Sequence, residues 1–294
     1  ILATLLGFIV GIARLSKNWL LSRAAAVYIE TFRNIPLLLQ IFFWYFCVLR
    51  NLPAPRQSMS LGDVVFLNVR GLSIPAPVFE PGFSFVFGAF IVAIIAIVVL
   101  RKWAKKRQYL TGQIFPVFYS GLGLLIGLPL LTFLLSGMPL HWDMPGLKGF
   151  NFRGGFTIIP ELFSLAVALT IFTAASIAEI VRSGIMSVSK GQVEAASALG
   201  LRSGLTLRFV IIPQAMRVII PPLTSQFLNL VKNSSLATAV GYPDLVSVFM
   251  GSTLNQTGQA VEIIAMTMAV YLTISLVTSA LMNVYNAKNA LVER

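Results

Sequence analysis

Long apolar segments alternate with short polar connections along this chain. A helix needs about 20 apolar residues to cross the hydrocarbon core of a bilayer, and it satisfies its own backbone hydrogen bonds there. The segments that fit a spanning helix, the first of them incomplete, are residues 1–14, 25–49, 83–100, 114–136, 161–181, 209–231 and 262–286. The pattern predicts an all-α integral membrane protein with about seven spans in this chain.

Basic residues are concentrated in alternate connections between these segments, which the positive-inside rule places in the cytoplasm. They are Arg14, Lys17 and Arg23; Arg101, Lys102, Lys105, Lys106 and Arg107; Arg182, Lys190, Arg202 and Arg208; and Lys288 and Arg294. This orientation puts the carboxy terminus in the cytoplasm and the loops 50–82, 137–160 and 232–261 outside. Prolines and mixed charges in residues 50–82 predict a small folded outer segment with a short β-hairpin.

Composition agrees with a membrane protein and excludes several other classes. The chain is 57% hydrophobic and 11% charged, against roughly 25% charged residues in soluble domains. The net charge of +12 lies mostly in the connections, so there is no basic stripe for nucleic acid. One cysteine, Cys47, excludes an intramolecular disulfide, and with the single His141 it leaves too few ligands for the usual metal sites.

The loop 190–213 contains a segment that is too polar to cross the membrane. Its pattern predicts a short amphipathic helix, which could lie on the lipid headgroups or pack on its own bundle. One face gathers Val193, Ala196, Leu199 and Leu201, and Glu194 and Ser197 lie on another. Gly200 supplies the end of this helix.

The spacing within this loop resembles the EAA signature of permease subunits in ABC importers. The seven positions of this signature correspond to Glu194, Ala195, Ala196, Gly200, Val210, Ile212 and Pro213. Val210 stands where the signature has isoleucine, and Ile212 where it has leucine. The resemblance implies a coupling helix that docks into a cleft on a cytoplasmic ATPase subunit.

The residue types suit that role, and we assign Gln192 to the same coupling surface. Small Ala195 and Ala196 permit close approach, and Glu194 offers a charge to a cation of the ATPase. Gly200 lets the chain turn sharply after the helix. We expect Pro213 in the first turn of the next span, where a missing amide donor costs nothing.

Three further stretches resemble the polar amino-acid permeases of the histidine, glutamine and arginine import systems. They are residues 30–46, 178–185 and 221–245. Within that family, the long segment 51–156 resembles the insertion of the general L-amino-acid permeases of the Aap/Bzt type, Q-like subunit. The implied domains are first core spans in 1–50, an insertion with an outer segment and two extra spans in 51–156, and the remaining core in 157–294.

This resemblance implies the transmembrane domain of a type I ABC importer in the bacterial inner membrane, with eight spans in the full protein and an amino-terminal segment before Ile1. The implied partners are cytoplasmic ATPase subunits, a second and non-identical permease subunit, a periplasmic amino-acid-binding protein and membrane lipid. We expect no cofactor in this chain, with ATP and Mg bound by the ATPase. The chain would move polar L-amino acids by alternating access without being an enzyme.

Polar residues at membrane depth are costly and are therefore candidates for the transport pathway. Glu30, Arg33 and Asn34 precede Pro36, although Glu30 and Arg33 are spaced to pair with each other on one helix. A second group, at a predicted break between helices, comprises Lys232, Asn233, Ser234 and Ser235. Exposed amides at such a break, with the charge of Lys232, would bind a carboxylate, whereas Lys232 alone would snorkel to the interface.

Two other patterns predict helix packing. Glu179 and Arg182 have the spacing of an intrahelical ion pair, and we expect a structural pair there. Gly7 and Gly11 form a small-xxx-small motif suited to close contact between helices.

Two alternative functions stay open on the sequence. A secondary transporter or channel would act without an ATPase, but coupling to protons or sodium would need acidic residues within the spans, which have few. A membrane scaffold or signalling protein would leave the EAA spacing unexplained. The chain has no Walker-type glycine loop with lysine, so we expect ATP hydrolysis in a separate chain.

Overall fold

A computed structural model describes residues 1–289, so the predicted cytoplasmic terminus at Arg294 lies outside the described residues. The α-helices are α1 Leu2–Arg14, α2 Trp19–Asn34, α3 Leu37–Phe42, α4 Phe83–Thr111, α5 Val117–Leu135, α6 Pro160–Met186, α7 Lys190–Ala198, α8 Ser203–Thr206, α9 Ile212–Asn233, α10 Leu254–Thr257 and α11 Ala260–Asn289. The strands are β1 Met59–Leu61, β2 Val65–Asn68, β3 Gly71–Ile74, β4 Ala76–Phe79, β5 Leu140–Asp143, β6 Gly146–Lys148, β7 Asn151–Arg153 and β8 Phe156–Ile158. The chain divides into two compact units, of which the second comprises residues 54–67 and 72–157.

Five described helices are long and apolar enough to cross a membrane. They are α4, α5, α6, the continuous helical segment Ser203–Val240 and Ala260–Tyr285 of α11. These helices correspond to the last five predicted segments. The first predicted segment forms α1, which has 13 residues and is shorter than a span.

A sharp bend divides the predicted span at 25–49 into two helical parts. Helix α2 ends at Asn34, and the next helical segment, Leu37–Asn51, is bent from it by 104°. Ile35 has φ −92° and ψ 127° because a residue before proline avoids the helical region. Pro36 has no amide hydrogen to donate to the carbonyl of Phe32, so the helix cannot continue regularly. The bent pair is a sixth span only if its two parts cross the membrane together.

The side chain of Gln40 satisfies the carbonyl groups that this break leaves free. Its Nε2 donates to the carbonyl oxygens of Phe32 and Ile35, each at 2.9 Å. Gln40 is 4% exposed, so these bonds form away from solvent. The bend is thus held by a buried polar side chain in an otherwise apolar stretch.

The first unit is built around α6, whose buried face is rich in alanine. Gly7 and Gly11 of α1 pack against it so closely that a Cβ on Gly7 would lie 2.7 Å from Cβ of Ile177. A Cβ on Gly11 would lie 2.7 Å from the carbonyl oxygen of Ala178. The prediction that this glycine pair mediates close helix packing is confirmed.

Two apolar clusters attach other helices to α6. One joins α6 to α9 through Ile177, Val181, Ala215, Ile219 and Leu223. The other joins the segment after the bend to the amino-terminal half of α6 and to the turns after α9, through Leu37, Ile41, Tyr45, Leu165, Ala168, Leu169, Ala237 and Val240. Helix α6 therefore contacts both the bent segment and the long helix that follows the polar loop.

The loops predicted to lie outside contain more β-structure than expected. The predicted hairpin is β1–β2, paired from Met59↔Leu67 to Leu61↔Val65. Six further strands accompany it, in a sheet of order β1-β2-β3-β8 and the antiparallel pairs β4–β5 and β6–β7. The expectation of an all-α fold is wrong here, because loops far apart in sequence pair with each other.

Candidate functional site

The polar loop forms a short helix with one face turned away from the protein. Helix α7 spans Lys190–Ala198, so the predicted amphipathic helix is present. Its exposed residues include Glu194, Ala195 and Ala198, and the exposed Leu199, the residue directly after the helix, lies on the same side. This outward face presents one carboxylate, two small side chains and one leucine.

Contact with an ATPase would require Ala196 to be exposed, and in the structure it is buried. It is 4% exposed and therefore faces the rest of the chain, whereas Ala195 is exposed. The two alanines lie 100° apart around the helix, which allows Ala195 to be exposed while Ala196 packs inward. Leu199, which the sequence places on the same face as Ala196, is 81% exposed at the end of the helix.

Gly200 and Pro213 connect this helix to the long apolar segment. Gly200 has φ +74°, the left-handed conformation that lets the chain turn after α7. Pro213 lies in the first turn of α9, as predicted. The helix does not start there, however, because α8 and a π-helical turn at Leu207–Ile211 run directly into α9. Gln214 of α9 approaches Gln192 of α7, with Nε2 3.5 Å from Oε1.

The polar residues before the bend are exposed and do not pair as their spacing suggested. Within the described residues no ion pair joins Glu30 to Arg33; instead Asn34 Nδ2 donates to the Glu30 carbonyl at 2.7 Å. Arg33 lies close enough to Glu179 of α6 for their charges to interact, as Glu30 does to Arg182. The charges of α2 therefore face charges of opposite sign on α6.

The ion pair predicted within α6 is confirmed. Arg182 binds Glu179 through two nitrogens, with Nη2 2.6 Å from Oε1 and Nε 3.0 Å from Oε2. Both side chains are partly buried. The pair joins residues one turn apart on the same helix, which is the structural role expected of it.

The predicted break between helices at Lys232, Asn233, Ser234 and Ser235 is wrong. Helix α9 passes without interruption into 3₁₀ turns at Ser234–Val240, and the helical segment ends at Gly241, with φ +80°. The Ser234 and Ser235 hydroxyls donate to carbonyls one turn earlier, at 2.7 Å each. Continuous turns use the backbone amides internally, so they are not free to bind a carboxylate.

Lys232 and Ser235 nevertheless line a cavity of about 360 Å³. The other lining residues are Val246, Thr267, Met268 and Tyr271. Asp244 is not one of the lining residues, but it lies close enough to Tyr271 for an electrostatic interaction. The structure thus gathers Lys232 and Ser235 around a cavity, whereas Glu30, Arg33 and Asn34 belong to the surface of α2.

The sequence assigned no functional role to Gln40, Leu199, Asp244 or Tyr271. Pro36, four residues before Gln40, indicates a break in the helix. A polar side chain is needed there to replace the missing backbone donor. Asp244 follows a Gly-Tyr-Pro turn and precedes a helix, which is a signal for a capping residue. Tyr271 is one of many aromatic residues in apolar segments, and nothing in the sequence distinguishes it.

A family model described as "Binding-protein-dependent transport system inner membrane component" matches residues 109–290. The matched range begins within the segment 51–156 and continues through α5, α6, the polar loop and α9 to α11. It covers more than half of the chain.

Two relatives align with nearly the whole chain. YhdX of Escherichia coli (strain K12), provisionally named an amino-acid ABC transporter permease protein, is 59% identical over 294 residues, which are 100% of this chain and 75% of that protein. The general L-amino acid transport system permease protein AapQ of Rhizobium johnstonii is 53% identical over 292 residues, 99% of this chain and 73% of that protein. Both alignments include the segment 51–156.

The fold is similar to that of a solved structure. A crystal structure of an amino acid ABC transporter with histidines superposes with a TM-score of 0.56 at 20% identity. The superposition covers 98% of this chain and 85% of that one. At 20% identity, the superposition shows a similar fold only.

Proposed function

Because the chain belongs to the family of binding-protein-dependent transport system inner membrane components, we propose that it is the permease subunit of an ABC importer. It carries polar L-amino acids from a periplasmic binding protein into the cytoplasm by alternating access. The names of both relatives support amino acids as the substrates. As a transport component, the chain is not itself a catalytic enzyme.

The outward face of α7 is the observation that carries this proposal. A leucine that is 81% exposed, beside small residues and a carboxylate, suits docking into a protein cleft. Coupling also requires that force on α7 reach the spans. Buried Ala196 and Thr206, with the π-helical turn between α8 and α9, connect α7 to the segment Ser203–Val240.

The coupling residues divide into two groups in this proposal. Glu194 and Ala195 contact the ATPase together with Leu199, whereas Ala196, Gly200 and Pro213 fix α7 relative to α9. Gln192 lies between these groups and approaches Gln214. ATP and Mg bind to the ATPase subunits, so α7 transmits motion without contacting nucleotide.

The remaining partners and the orientation follow from the same proposal. A periplasmic amino-acid-binding protein delivers the substrate, and a second, non-identical permease subunit completes the pathway. The basic connections and the carboxy terminus lie in the cytoplasm, and the loops 50–82 and 137–160, which contain the eight strands, lie outside.

Reconstitution tests the proposal. The complex with its ATPase and binding protein, in proteoliposomes, should hydrolyse ATP faster when polar L-amino acids are added, and sugars or peptides should have no effect. Stimulation by sugars or peptides alone would contradict the substrate class. Transport by the purified chain without an ATPase would contradict the importer mechanism.

A charge reversal on α7 tests the docking surface separately. Glu194→Lys should abolish co-purification of the ATPase, because it places a cation where the proposal requires a carboxylate. Lys102→Glu in the connection 101–107 is the matched control and should leave co-purification unchanged. Retention of the ATPase by Glu194→Lys would exclude this face as the docking surface.

A further inference from the structure

We propose that α4 and α5 form a binding site for one anionic phospholipid. An acyl chain lies in the apolar groove between the two helices, and the phosphate group lies against Lys106 and Arg107. This site is separate from the proposed transport mechanism, and it uses only the cytoplasmic position proposed there for the connection 101–107. Both helices belong to the second compact unit.

An apolar groove of about 490 Å³ follows α4 beside α5. Its lining residues on α4 recur at the spacing of one helix face, from Val92 to Trp103, and Leu124 lines it from α5. From Val92 to Trp103 the helix rises about 16 Å, which is roughly half of a hydrocarbon core about 30 Å thick. The groove therefore has the length of an acyl chain in one leaflet.

The same face of α4 continues with two cations, Lys106 and Arg107, three and four residues beyond Trp103. The guanidinium carbon of Arg107 lies 5.4 Å from the centre of the Trp103 ring, and its Nη2 donates to Gln113 Oε1 at 2.7 Å. Lys106 is exposed. Arginine and lysine are common ligands of phosphate oxygens, and a guanidinium already fixed in place loses little freedom on binding. The groove thus ends at two groups suited to a phosphate.

No carboxylate of the helix pair neutralises these cations. Residues 81–142 contain no aspartate or glutamate, although five cations occur within 101–107. Counted from Phe83, Arg101 lies about 27 Å along α4, close to the thickness of the hydrocarbon core. A basic cluster at that depth attracts anionic headgroups.

The cations of this cluster are not equivalent in position. Lys106 and Arg107 share the face of the groove, whereas Arg101 and Lys105 lie on the opposite side of α4. A purely electrostatic attraction to the membrane surface would use both pairs. A lipid held with its chain in the groove uses Lys106 and Arg107, and this difference provides a matched control.

Photolabelling tests the site. The permease–ATPase complex is reconstituted in phosphatidylcholine vesicles with a trace of either phosphatidylglycerol or phosphatidylcholine that has a diazirine on one acyl chain. Labelled residues are then mapped by mass spectrometry. The phosphatidylglycerol probe should label residues 92–103 roughly tenfold more than the phosphatidylcholine probe, because two cations face its net negative charge.

The double variant Lys106→Gln with Arg107→Gln should reduce labelling by phosphatidylglycerol roughly tenfold, to the level of phosphatidylcholine. The double variant Arg101→Gln with Lys105→Gln removes the same charge from the opposite face. It should leave the labelling unchanged.

A second pair of variants tests the groove itself. Ala96→Phe places a ring in the groove and should also reduce labelling by phosphatidylglycerol. Val98→Phe, at an exposed position away from the groove, is the control and should have no effect.

Equal labelling by the two probes, equal loss in the two double variants, or unchanged labelling of Ala96→Phe would overturn this inference. Absence of labelling by both probes would overturn it as well, because another protein chain would then cover the groove. Labelling requires neither ATP nor the binding protein. Its failure would therefore leave amino-acid import by the complex intact, and a complex that imports no amino acid would still be labelled.

Discussion

The side chain of Gln40 supplies the hydrogen-bond donor that the backbone lacks at the bend after α2. The missing amide of Pro36 would leave the carbonyl of Phe32 unpaired within an apolar environment, and the side-chain amide of Gln40 replaces it. The same amide group also binds the carbonyl of Ile35. One polar residue thus permits a bend of 104°.

Gln40→Leu should therefore destabilise the protein although it makes the segment more apolar. An unsatisfied buried polar group costs about 1–3 kcal/mol, and this substitution leaves two carbonyls without a donor. The variant should lower the thermal unfolding midpoint in detergent by several degrees. Gln256→Leu, at an exposed glutamine, is the control and should have little effect. A Gln40→Leu protein as stable as wild type would show that the bend does not depend on these bonds.

Residues of the candidate sites were predictable only where local spacing defines their role. The positions of Glu194 and Gly200 followed from the spacing of one motif, and the Glu179–Arg182 pair from one helical turn. Asp244 and Tyr271 are 27 positions apart and meet only through the packing of α11. Hydropathy also could not show that Ala195 is exposed and Ala196 is buried, because both are small and apolar.

Helix α1 depends on close contact with α6. At Gly11 an added Cβ would lie 2.7 Å from the carbonyl oxygen of Ala178 and 2.9 Å from Cβ of Val181. Since lipid tails are as apolar as the helix surface, such close packing is what holds the two helices together.

Gly11→Leu should separate α1 from α6. Overpacking a tight contact costs about 1–3 kcal/mol, which exceeds the gain in helix propensity over glycine. Gly123→Leu on α5 is the matched control, since an added Cβ there meets nothing within 4 Å. The unfolding midpoint in one detergent should fall for Gly11→Leu and stay constant or rise for Gly123→Leu. Equal midpoints for the two variants would exclude the glycine contact as the basis of packing.

The long helices were predictable because a span imposes about 20 consecutive apolar residues. The bend was missed because an apolar stretch containing one proline is compatible with both a kinked span and two separate helices. The strands were mostly missed for another reason: β4 pairs with β5, over 60 residues later, and such long-range pairing has no local signature.

At the scale of the whole molecule, one long helical segment has α7 next to its first residues and the cavity next to its last turns. Leu199 precedes Ser203, the first residue of the segment Ser203–Val240, and Lys232 lies close to its last turns. A displacement of α7 would therefore act on the same helix that lines this cavity. This connection requires that α7 contact the ATPase.

Cysteine cross-linking tests that contact most directly. In a Cys47→Ala background, Leu199→Cys is compared with Leu61→Cys of β1, because the two leucines are 81% and 77% exposed. With a cross-linker that carries one maleimide and one photoreactive benzophenone, Leu199→Cys should form an adduct with the ATPase subunit in the assembled complex, and Leu61→Cys should form none. The account is contradicted if Leu199→Cys gives no adduct and is instead labelled by a membrane-impermeant maleimide added to the periplasmic side.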